Sequence, residues 1–116
     1  MYYFFETYTG SATSRPAKIE TPENASPAAV LENFYSLIHS AKYTIVVFRV
    51  QYSAEEAGIP FSGLLAEYWR SDNTIFWYWN YDSVRDFSEA IGYDVAAEQK
   101  AREAARYNYE RNYCTA

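Results

Sequence analysis

Few side chains in this 116-residue chain could do chemistry, and those few stand apart. His39 is the only histidine and Cys114 the only cysteine. One imidazole and one thiol cannot supply the three or four ligands of a zinc-type centre, so no metal is expected. No D-x-D-x-D-G loop offers a calcium site, and no G-x-S-x-G elbow presents a nucleophile. The glycines at 10, 58, 63 and 92 are isolated. No loop therefore cradles a phosphate, and no cofactor is expected. Carboxylates pair at Glu55-Glu56 and gather at Asp82, Asp86 and Glu89. Such groups do acid–base work when they converge on a substrate. Here the first pair sits in a loop, where adjacent side chains diverge, and the second set suits a helix N-terminus.

The aromatics are a more unusual population. Tyr68, Trp69, Phe76, Trp77, Tyr78, Trp79 and Tyr81 all fall within residues 68–81. A strand that is aromatic on both faces needs two coverings. Helices can supply one. The other falls to the 10–26 loop, to the last helix, to a second copy of the chain or to a partner. Further on, Tyr107, Tyr109 and Tyr113 alternate with Arg106 and Arg111. Tyrosine offers large area with few rotamers, and arginine a rigid donor fork, which is why both are enriched where proteins bind one another. The candidate partner-binding residues are thus Glu55, Glu56, Tyr78, Arg106, Tyr107, Tyr109, Arg111 and Tyr113.

The elements that must position them can be read from periodicity. Residues 2–9 are aromatic and β-branched and stop at Gly10, which predicts a strand. Residues 10–26, with Pro16 and Pro22, predict a long surface loop. Ser26-Pro27 opens a helix as N-cap and first helical position. Val30, Leu31, Phe34, Leu37 and Ile38 recur along it at helical spacing, with His39 placed to complement the C-terminal end of its dipole. Tyr43 to Tyr52 predicts an interior strand with Val46, Phe48 and Val50 on one face. Residues 53–63 read as loop. Leu64 to Arg70 reads as a strand in a hairpin turning at Asp72-Asn73, or as a short helix capped by Ser62; the hairpin is preferred. In that hairpin Trp69 pairs with Phe76 and Tyr68 with Trp77. Residues 74–81 are a strand. Ser83 and Asp86 form a variant capping box, and Gly92 ends that helix. A last helix over 95–113 places Ala97, Ala101 and Ala105 on its inner side. The order β-α-β-β-β-α-α predicts one α+β domain over residues 1–116: a three- to four-stranded, mainly antiparallel sheet with helices on one face.

Composition narrows the partners. Net charge is −5, and 49% of residues are hydrophobic, which excludes disorder of the whole chain. Residues 43–94 hold the acidic excess, whereas the last helix is slightly basic. An acidic surface is repelled by phosphate backbones and anionic lipid, so neither nucleic acid nor membrane is expected as partner. No apolar run reaches the ~18 residues of a span. One thiol, with no basic or apolar leader at the start, points to the reducing cytoplasm. The expected partner is another protein, with a basic surface.

In size, acidity and lack of motifs the chain resembles the small single-domain inhibitors that phages encode against bacterial defence systems, such as anti-CRISPR and antirestriction proteins. The resemblance covers no stretch of residues and transfers no functional position. It implies an inhibitor or adaptor that works by occupying another protein's surface. Two other readings stand beside it: a small enzyme using carboxylate and tyrosine groups, and an aromatic platform for nucleic acid or carbohydrate.

Overall fold

The protein, analysed as a computed structural model, is described over residues 1–10, 15–22 and 24–114, with side chains through residue 109. Strand β1 (Tyr2–Tyr8) and the short β2 (Ala17–Glu20) pair antiparallel. Helix α1 (Pro27–His39) then leads into β3 (Ile45–Tyr52), a single turn α2 (Ala54–Ala57) and β4 (Phe61–Trp69). The hairpin partner β5 (Thr74–Trp77), α3 (Asp82–Ile91) and the long α4 (Ala97–Cys114) complete the chain. Among the described residues the fold is α+β, an open five-stranded antiparallel sheet in the order β2-β1-β3-β4-β5 with four helices.

This sheet is wider than the sequence predicts, and the order differs in two places. The expected 10–26 loop contains β2, whose Ile19 lies opposite Phe5. Four residues with a single large apolar side chain carry too weak a period-2 signal to be seen. The expected 53–63 loop contains α2, closed by Ser53 and Glu56 in a reciprocal capping box. The β4–β5 hairpin forms, but two residues out of the expected register: Trp69 faces Thr74 and Ala66 faces Trp77. Asn73, with φ of 47°, lets the turn close over residues 70–73. Strand β5 stops at Trp77, because Tyr81 N–H bonds back to Tyr78 O at 2.9 Å and turns the chain into α3.

One face of the sheet carries the core. Tyr3 and Phe5 of β1, Phe48 of β3 and Trp77 of β5 meet Phe34 of α1 and Phe87 of α3 in a ring-against-ring cluster. Ser26 caps α1 as expected, accepting from Ala29 N at 3.2 Å. At α3 the expectation fails: Tyr81 is the N-cap without a side-chain bond, and Ser83 Oγ donates instead to Leu64 O at 2.8 Å, tying the helix to β4. The register slips between Phe48 and Arg49, where β4 carries the extra residue Leu65, fully buried with Ala66.

Helix α4 corrects a further expectation. Its alanines do not face the sheet: every residue from 101 to 109 is exposed. The first turns of the helix fasten it to the edge of the sheet. Gln99 Nε2 donates to Trp77 O at 2.8 Å, and Gln99 Oε1 accepts from Trp77 N at 2.9 Å. This side-chain amide takes the place that a sixth strand's peptide would occupy. Glu103 accepts from the Trp79 indole N–H at 2.8 Å. The remaining turns project, which accounts for principal extents of 53 × 35 × 25 Å.

Candidate partner-binding surfaces

The eight candidate residues fall in three separate places. Glu55 is exposed on α2. Glu56 beside it is engaged: it accepts from Ser53 N and Oγ and pairs with the Met1 ammonium at 2.5 Å. The ammonium and the Ser53 donors hold its carboxyl below the usual range. Glu56, Asp82 and Asp86 converge around Tyr52, whose phenol is pushed up by burial first and then by those three carboxylates. So Glu56 of the first acidic set meets Asp82 and Asp86 of the second, although they lie apart in sequence. No group of three or more His, Cys, Asp or Glu residues suited to a metal occurs among the described residues.

Tyr78 belongs to the uncovered sheet face. Glu6, Val47, Glu67 and Phe76 form one row across four strands by register. Arg49 donates to Glu6, and Tyr78 OH donates to Glu67. Burial first, then this bond and the Glu67 charge, push the Tyr78 phenol up to about 12. Its ring stacks on Tyr81 at 5.3 Å. Val47, between Glu6 and Glu67 in that row, and Ile45, between Tyr8 and Trp69, are each 5% exposed. Tyr78 is thus mainly a structural residue of the sheet, and Phe76, 42% exposed, is the more available aromatic there.

Arg106, Tyr107 and Tyr109 ride on the projecting part of α4. Arg106 lines a groove against Ile75 and Tyr35, and Tyr107 and Tyr109 are each 63% exposed. Arg111 and Tyr113 belong to the same helix, with side chains outside the described ones.

Sequence reasoning overlooks a cleft of about 850 Å³ at the root of α4. It lies between the turn 79–81, the last turns of α3 and Lys100 of α4. Trp79, Tyr81 and Tyr93 give it aromatic walls, and Ser88 and Glu89 supply the α3 side. Lys100 pairs with Asp94 at 2.7 Å and lies 6.0 Å from the Trp79 ring centroid. That pairing holds the Asp94 carboxyl below its usual range. The Ser88 Oγ is buried without a hydrogen-bond partner among the described residues. Trp79 and Tyr81 were legible as part of the aromatic run; Tyr93 and Lys100 had no signal, because only the αL turn at Gly92 brings them alongside.

Comparison of the chain with family models, with curated proteins and with solved structures finds no match. No helix among the described residues is long and apolar enough to cross a membrane.

Proposed function

We propose that this protein is a protein-binding module that acts as an inhibitor or adaptor by occupying a partner's surface, in the manner of phage anti-defence proteins. The observation that carries the reading is the exposed stretch of α4. Nine consecutive helical positions, 101–109, are exposed on all sides, and Tyr107 and Tyr109 stand 63% exposed among them. A helix of this length gains most of its stability from packing an apolar face, and this stretch packs little. Exposed tyrosines beside arginine are the composition of an interface before its partner arrives. The −5 net charge favours a basic partner over nucleic acid or anionic lipid.

The test is capture of a stoichiometric partner by tagged protein from lysate of its source cells, with Tyr107→Ala/Tyr109→Ala as comparison. Circular dichroism establishes that the variant keeps its fold. Loss of the partner with the variant supports the reading. Equal capture by both proteins, or no partner at all, overturns it.

A further inference from the structure

The cleft at the root of α4 is lined by two cations, Arg85 and Lys100, and two carboxylates, Glu89 and Asp94. Its two cations are already neutralised: Arg85 donates to Asp82, and Lys100 pairs with Asp94. Glu89 has neither an ion pair nor a side-chain hydrogen bond among the described residues. The C-terminal end of α3 lines the same cleft through Ser88, Glu89 and Gly92, and its last turn carries no basic residue. Gly92 N–H caps the Ser88 and Glu89 carbonyls, and the helix end still carries the equivalent of about half a negative charge. Three aromatic rings line it, and the face of such a ring carries negative quadrupole potential. Carboxylate, helix end and rings all favour a cation, and no uncompensated positive charge remains for an anion.

Planarity decides between the two biological cations. A guanidinium stacks flat on Trp79, Tyr81 or Tyr93 and keeps in-plane donors for a carboxylate; an ammonium is a strongly hydrated point charge. The buried, unpartnered Ser88 hydroxyl is a further acceptor, available when the side chain turns about its first torsion. At about 850 Å³ the cleft has room for one long side chain and part of the backbone that carries it. Lys100 and Tyr107 are seven residues apart on α4, hence on one side of the helix and about 10 Å apart along it. The cleft and Tyr107 therefore lie along one side of α4, with Tyr109 on the other.

We propose that this cleft receives an arginine side chain of the partner protein, with Glu89 as its counter-charge and Trp79, Tyr81 and Tyr93 as its cage. The proposal rests on the protein-binding reading and adds the anchor residue to it. A test independent of the partner uses N-acetyl-arginine amide, titrated into uniformly 15N-labelled full-length protein, with the citrulline amide as its uncharged isostere. The expected result is dose-dependent shifts confined to the Trp79 indole N–H and the amides of Glu89, Gly92 and Tyr93, much smaller with citrulline. Glu89→Gln should weaken arginine binding about fivefold, the scale of one partly exposed ion pair. Tyr93→Ala, at a side chain 53% exposed, should weaken it while leaving the remaining spectrum in place.

Equal shifts from citrulline, shifts centred on the open sheet face, or indifference to Glu89→Gln overturn the proposal. A partner captured equally by wild type and Glu89→Gln, with no arginine-specific shifts, sinks the anchor and leaves the protein-binding reading standing. Arginine-specific shifts with no partner captured do the reverse: they keep the guanidinium site and remove the protein-binding reading.

Discussion

Gln99 shows how much one side chain can decide. Its amide makes both a donor and an acceptor bond to the backbone of Trp77. Gln99→Leu removes both and leaves two edge peptide groups unmatched beside an apolar chain, so stability should fall by about 1–3 kcal/mol in urea unfolding. Gln99→Glu keeps an acceptor but loses the donor and should fall between. Two phenols set the alkaline limit. Burial, with Tyr52 and Asp86 adding to it, pushes Tyr3 up to about 12, and Tyr78 reaches about 12 through burial and Glu67. In the unfolded chain both ionise near 10.0, the ordinary value of a phenol. The folded state therefore holds protons that the unfolded state releases. Their stabilisation is complete below pH 10 and is lost as pH rises from 10 through 12; denaturation midpoints across that window should fall steadily. Glu67→Gln should bring one tyrosine's ultraviolet titration down towards 10. None of these partnerships could be read from spacing: Gln99 and Trp77, like Tyr78 and Glu67, meet only once the register is set.

The elements were unevenly legible, for physical reasons. α1 carries its own cap, its proline and a full apolar stripe, and it forms where the pattern places it. β3 is apolar and buried on both faces from Ile45 to Phe48 and alternates only from Arg49 onward, yet its β-branched run is enough to mark a strand. β2 and α2 are too short to carry a period, and α4 misleads because its alanine repeat suggests an inner side. An alanine repeat marks a helix; it does not say which side is covered. At this scale two packing contacts invite substitution. A Cβ on Gly63 would lie 3.1 Å from Ser83 Cβ and 3.1 Å from Val50 Cγ1. Gly63→Ala should thus lever the start of α3 from β4 and cost roughly 1–3 kcal/mol. Phe34 is fully buried and touches rings from β1, β3 and β5. Phe34→Ala should cost about 3–5 kcal/mol, because three strands and a helix frame the cavity and cannot close it together. Thermal or urea unfolding reads both.

As a whole, the molecule separates a stable sheet-and-helix body from a helix that leans out of it. A chain ending at Glu103 keeps the Gln99 and Glu103 bonds and removes only turns whose described side chains are exposed. It should lose less than about 1 kcal/mol of stability, as surface changes do, and yet lose the partner. Were unfolding to shift by several kcal/mol instead, the outer turns would have to be part of the body. The amide seat at Trp77 has one more consequence, for solubility. An open sheet with a bare terminal strand is a template on which other chains can add, and proteins commonly guard such strands with charge, proline or a covering element. Here the guard at Trp77 is a single glutamine reaching down from a helix. Whatever lifts α4 away, whether heat, proteolysis at its root or a substitution at Gln99, bares the edge of an aromatic strand, and the resulting species should assemble edge to edge before it unfolds.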